Sequence, residues 1–167
     1  MNRGQPRSTR VLLYDGEAVG DPAHECTGWM DGRTVTLSGF VPGTWTVWID
    51  AKPFAPAVLR DVELRDGDTD LGEVAATEGA RLRIHVRVSE GQVPGTCTVY
   101  AARTTQPSYT RSLHFAGSPR GFVLAGLGPG TFRVTVSVMM GGLALDETIE
   151  VAGDEEIELE LDLRQER

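Results

Sequence analysis

Apolar and polar residues alternate in short runs along almost the whole chain. A period of two marks strands that bury one face. The cleanest run is Arg81–Val88, with Leu82, Ile84, Val86 and Val88 on one side and Arg81, Arg83, His85 and Arg87 on the other. Ile157, Leu159, Leu161 and Leu163 alternate in the same way with Glu156, Glu158, Glu160 and Asp162. After Gly43, Trp45, Val47 and Ile49 point one way while Thr44, Thr46, Trp48 and Asp50 point the other. Further strands are predicted at Val11–Tyr14, Thr34–Phe40, Ala57–Leu64, Leu71–Val74, Thr96–Ala102, Ser112–Ala116, Phe122–Leu127, Thr131–Val138 and Leu143–Val151. A long polar loop precedes a short edge strand at Cys26–Met30, and the AKPFAP tract is a loop because two prolines so close cannot sit in a central strand. Almost nothing reads as helix, so the fold class is all-β.

One stretch occurs twice. TVTLSGFVPGTWTVWI (34–49) and GFVLAGLGPGTFRVTV (121–136) superimpose at a separation of 87 residues, which sets Pro42 on Pro129, Gly43 on Gly130, Trp45 on Phe132 and Val47 on Val134. Each Pro-Gly between two alternating runs reads as a β-hairpin, with Trp45 and Phe132 in the two cores. Two copies of one unit predict a tandem: residues 1–77 as the first β-sandwich and 78–167 as the second. The second holds seven strands, the size of an Ig-like Greek-key sandwich. Aligning Tyr14 with Tyr100 leaves nothing ahead of the first unit to match Leu82–Val88, and Met1–Ser8 does not alternate. Burying four such side chains is worth about 1.5–3 kcal/mol each, comparable to a whole domain's net stability. The first sandwich is therefore expected to lack its N-terminal strand, to be supplied from upstream of Met1 or by a second chain.

Glu90-Gly91-Gln92-Val93-Pro94, followed by Phe122, Leu124, Leu127, Pro129, Gly130, Phe132, Val134 and Val136, resembles the carboxypeptidase regulatory-like (transthyretin-like, or prealbumin-like) family. Phe132 and Trp45 stand where that family usually has tyrosine. The resemblance implies non-catalytic modules of secreted or cell-surface bacterial proteins, and hence an extracellular or envelope location. It also implies pairing of first and last strands, which would set the Arg81/Arg83/Arg87 row beside Glu156, Glu158 and Glu160. Related collagen-adhesin repeats carry an internal Lys–Asn amide. Here Lys52 and Asn2 are the only lysine and asparagine, so that crosslink is excluded.

The formal charge of -8 argues against nucleic acid, since neutralising phosphates supplies most of that affinity. No apolar run is long enough to span a membrane, and the N-terminus does not read as a signal peptide. Cys26 and Cys97 fall at non-equivalent repeat positions and read as separate thiols. His24-Glu25-Cys26 groups three metal-ligand types, but without the C-x-x-C or H-E-x-x-H spacing of zinc sites. A metal-assisted enzyme at His24 and Cys26 is thus a remote alternative, His85 and His114 read as surface residues, and neither enzyme activity nor a cofactor is expected. Trp48 is the sharpest binding candidate: its repeat partner is Thr135, and its face is opposite to the core set. It either packs on a loop such as Lys52–Pro56 or on the other domain, or meets a partner, or with Trp29 and Tyr109 forms a platform for polysaccharide. The expected function is a module for adhesion, spacing or protein assembly, with a protein partner or neighbouring domain.

Overall fold

A computed structural model describes residues 9–31, 34–36, 38, 40–87, 96–115, 121–138 and 142–162, with only the backbone described at 27, 29–31, 35, 115, 142 and 143. The described residues contain strands and no helix, and hence no helix long and apolar enough to cross a membrane. The chain divides into two compact units, 1–78 and 79–167.

Unit 1 is one antiparallel sheet. Its strands are β1 (Thr9–Tyr14), β2 (His24–Asp31), β3 (Thr34–Thr36), β4 (Gly43–Ala51) and β5 (Ala57–Leu64), in the order β3-β2-β1-β4-β5. Central β1 sets Val11 opposite Ile49 and Leu13 opposite Val47. Val11, Leu13 and Val47 form the buried nucleus of one face. β5 carries a bulge opposite Trp45–Val47, where Asp61 takes φ of +54°. The extra residue lets Val62 and Leu59 both keep the face of Trp45 and Val47.

Unit 2 has seven described strands: β6 (Ala80–Arg87), β7 (Cys97–Arg103), β8 (Thr110–Phe115), β9 (Gly121–Leu127), β10 (Gly130–Val138), β11 (Gly142–Val151) and β12 (Glu156–Asp162). They form a four-stranded sheet, β11-β10-β7-β8, and a three-stranded sheet, β12-β6-β9. Val99, Ala101, Phe132, Val134 and Val136 from the first sheet, and Leu82, Ile84, Leu127 and Leu161 from the second, are all buried. Alternating apolar faces on two sheets of one unit make a sandwich-like arrangement. Tyr109 ties the sheets together: its hydroxyl accepts from the Gly128 amide at 2.6 Å and its ring meets Phe132 edge-on.

The strand order repeats. β5-β4-β1-β2 in unit 1 corresponds, 87 residues on, to β11-β10-β7-β8 in unit 2. The registers refine the alignment: Leu13 faces Val47 and Ala101 faces Val134, so Tyr14 corresponds to Ala102 and not to Tyr100.

Two sequence expectations are corrected. Pro129-Gly130 closes no hairpin, because β9 pairs with β6 while β10 pairs with β7 and β11. In unit 1, likewise, β3 pairs with β2 and β4 with β1 and β5. Gly130 at φ +137° and Gly43 at φ +154° carry the chain between ladders, far from the φ near +80° of a type II turn. Alternating runs on both sides of a Pro-Gly fit a hairpin and a sheet-to-sheet arch equally well. Second, Leu71–Val74 forms no strand: Gly72 adopts φ +71° and its amide donates to the Asp70 carboxylate at 2.8 Å, a turn held by its own side chain. The turn expected at Glu90–Pro94 and the segment Met1–Ser8 lie outside the described residues.

Candidate functional site

The strongest sequence candidate does not face solvent. Trp48 is 2% exposed on the opposite face of β4 from Val47, opposite Leu12 of β1 and Val58 of β5. Leu12, Tyr14, Thr46 and Asp50 on that face are buried as well, so this face of the unit 1 sheet is covered. The corresponding face of unit 2 is polar, with Tyr100 exposed and Arg133 gripping Asp146 through Nε and Nη2 at 2.7 and 2.5 Å. Trp48 therefore packs, and offers no ring for a sugar to stack on. Tyr109 is buried against Phe132, with the Arg111 guanidinium 4.6 Å above its ring, so it is not a platform residue either. Trp29 lies in β2, and its side chain is outside the described residues.

The His24-Glu25-Cys26 trio is split by strand alternation. β2 begins at His24, earlier than the edge strand predicted from the sequence, so Glu25 points away from its two neighbours. His24 meets the Trp45 ring edge-on at 5.3 Å, and Cys26 packs on the Val11–Leu13–Val47 cluster, where burial pushes its thiol pKa up. Glu25 instead receives both Arg10 Nε and Nη2, at 2.6 and 3.1 Å, and this hydrogen bonding lowers its pKa. Among the described residues no three His, Cys, Asp or Glu side chains converge where a metal ion could be held. Cys26 and Cys97 are both free thiols.

The arginine row finds its acids. β6 and β12 pair in parallel, with Arg81 level with Glu156 and Arg87 level with Asp162. Side chains reach back along the ladder: Arg83 Nε donates to Glu156 at 2.6 Å, His85 lies 3.7 Å from Glu158, and Arg87 bonds Glu160. The hydrogen bond from Arg83 lowers the Glu156 pKa. His114, on edge strand β8, shares a 2.9 Å hydrogen bond with Thr98 and meets Tyr100 edge-on.

What remains is a trough on unit 1. Around Val11, Leu13 and Val47 lie Phe40, Trp45, Ile49, Val62 and Leu64, all only partly buried. Their counterparts in unit 2 (Leu127, Phe132, Val136, Ile149 and Val151) are buried. Trp45 leaves its indole Nε1 donating to the Val41 carbonyl at 3.1 Å. Unit 2 closes the equivalent face with the three-stranded sheet β12-β6-β9, and among the described residues unit 1 has no such sheet. The signal for this trough was in the sequence, as the absent counterpart of Leu82–Val88.

Comparison of the chain with protein-family models, with curated proteins and with solved structures finds no match.

Proposed function

We propose that this chain is a non-catalytic module of two β-sandwich repeats of the transthyretin-like kind, serving adhesion, spacing or protein assembly within a larger bacterial surface or secreted protein. The observation that carries this reading is the recurrence of one four-stranded sheet, β5-β4-β1-β2 and then β11-β10-β7-β8, in successive units of the chain. Repetition of a structural unit multiplies length and contact surface, whereas a catalytic centre needs one convergent set of side chains. The parallel pairing of β6 with β12 agrees with the resemblance carried by Phe122, Leu124, Leu127, Pro129, Gly130 and Phe132. Among the described residues the first repeat has no counterpart of the sheet β12-β6-β9, and its partner is a protein.

Beads carrying the full chain test this reading against a secreted and envelope fraction. A protein should be retained, and the contact should saturate when rebuilt from purified components and be indifferent to a metal chelator. Elution by soluble polysaccharide, or loss of retention on chelation, would overturn the reading.

A further inference from the structure

In unit 2 a single strand, β6, carries most of what unit 1 lacks. Its Leu82 and Ile84 are fully buried, and its basic side chains pair with the glutamates of β12. In unit 1 the segment equivalent to β12 forms no ladder, and among the described residues the counterpart of β9 pairs through Thr34–Thr36, with β2. The half-covered residues Phe40, Trp45, Ile49, Val62 and Leu64 lie on the same face as the cluster. The sequence 66–78, which stands in unit 1 where the stretch around β12 stands in unit 2, carries Asp66, Asp68, Asp70, Glu73 and Glu78 and no lysine or arginine.

We propose that the apolar face of unit 1 receives an extended segment of a second polypeptide, apolar at alternate positions and basic between them, which adds as the strand that β6 supplies in unit 2. The inference rests on the assembly reading and names the chemistry of its partner. The alternation fills the trough, because successive side chains of a strand point to opposite faces. The basic positions follow from the repeat: 66–78 takes the place in the sequence of β12, whose Glu156 and Glu160 meet Arg83 and Arg87, and is itself acidic. Backbone groups supply the remaining affinity, as in other cases of strand addition. β6 has the right pattern but is held on both edges by β9 and β12, so it is not itself the donor.

The test uses the full chain and a synthetic peptide with the sequence of Ala80–Ser89. Hydrogen exchange is followed with the peptide at 100 times its Kd. Amides at Thr36, Ser38 and Phe40 and across 66–74 should slow about 100-fold, as expected when exchange requires dissociation. Amides of β9 and β12 should be unchanged. A peptide with glutamate in place of its three arginines should bind at least about tenfold more weakly, the effect of ~1.4 kcal/mol. Absence of protection in unit 1 at millimolar peptide, a response confined to unit 2, or equal binding of the acidic peptide would each overturn the proposal. The bead experiment separates the two readings. A retained protein released by the basic peptide supports strand addition, and one held despite saturating peptide overturns it while leaving the module reading intact. If no protein is retained the module reading fails, and protection by the peptide alone decides the trough.

Discussion

Replacing Phe132 by alanine tests the core of unit 2 and the independence of the two units at once. The side chain is 0% exposed, and its ring centroid lies 5.5 Å from that of Tyr109 at 79° between planes. Removing a fully buried phenylalanine costs about 3–5 kcal/mol, of which the edge-to-face contact accounts for roughly 0.5–1.5 kcal/mol. A unit of this length has a net stability of roughly 4–13 kcal/mol, so the variant is brought close to unfolding. With a urea m-value of about 1 kcal/mol/M for so small a unit, the midpoint falls by roughly 3–5 M. The chain supplies its own reporter: Trp29, Trp45 and Trp48 are the only tryptophans, and all lie in unit 1. Tryptophan fluorescence therefore follows unit 1 alone, while far-ultraviolet circular dichroism follows both. Phe132→Ala should shift the part of the dichroism transition that fluorescence does not see, and leave the fluorescence midpoint in place. Phe132→Leu, with a loss on the order of 1 kcal/mol, keeps the comparison open if the alanine variant does not fold. A loss below 1 kcal/mol for alanine would refute the core assignment, and a matching fluorescence shift would refute the independence of the units.

Trp48→Ala should destabilise unit 1 by about 3–5 kcal/mol, read from the fluorescence of Trp29 and Trp45; an unchanged midpoint would return Trp48 to the surface. Hydrogen bonds from Arg10, Arg83 and Arg133 hold the carboxyls of Glu25, Glu156 and Asp146 below their ordinary values of 4.5, 4.5 and 3.8. A lowered folded-state pKa contributes stability that is fully present above the unfolded value and is lost as pH falls through the folded one. Melting temperature should therefore lose these contributions only below about pH 4.5, and Arg83→Gln should reduce the acid sensitivity of the unit 2 transition; a loss already complete at pH 6 would contradict this. Gly130 has φ of +137°, and a Cβ there would meet Arg103 Nε at 2.7 Å, whereas one at Gly153 meets nothing. Gly130→Ala should cost about 1–3 kcal/mol and Gly153→Ala almost nothing in the same denaturation assay, and equal effects would reject the backbone argument.

Alternation located the strands well, because the side-chain period of a strand is local. The faces of β6, β10 and β12 could be read directly from Leu82/Ile84, Phe132/Val134 and Leu161. The pairing of the arginines of β6 with the glutamates of β12, across most of unit 2, was implied by the resemblance and not by the alternation. Ladder partners were harder. The Pro-Gly between β9 and β10 looks like a hairpin because nothing local distinguishes a turn within one sheet from a passage between two. For Trp48 the sequence leaves packing and partner contact open together, because period two assigns a residue to a face without saying what covers it. Here the face that carries Trp48 is buried with Leu12 and Tyr14, and those two residues are the sign the sequence offers. His24, Glu25 and Cys26 group together in the sequence when the edge strand begins only at Cys26, and alternation separates them once β2 begins at His24. Leu71–Val74 has the apolar residues of a strand, but Asp70 and Gly72 spend them in a turn.

The parallel pairing of β6 with β12 has a mechanical side. The chain enters unit 2 at the start of β6 and leaves at the end of β12, and the two strands run the same way from Arg81↔Glu156 to Arg87↔Asp162. Entry and exit thus lie at opposite ends of one ladder. Tension along the polypeptide drags the two strands lengthwise past each other and loads every rung together, instead of peeling them one at a time. Resistance to pulling is governed by the rate of unfolding rather than by equilibrium stability. The diagonal pairs Arg83–Glu156 and Arg87–Glu160 come level as the strands begin to slip, so the charges still hold when the first backbone bonds have stretched. A repeat fastened in this way resists being drawn out along the chain more strongly than its thermal stability alone would indicate.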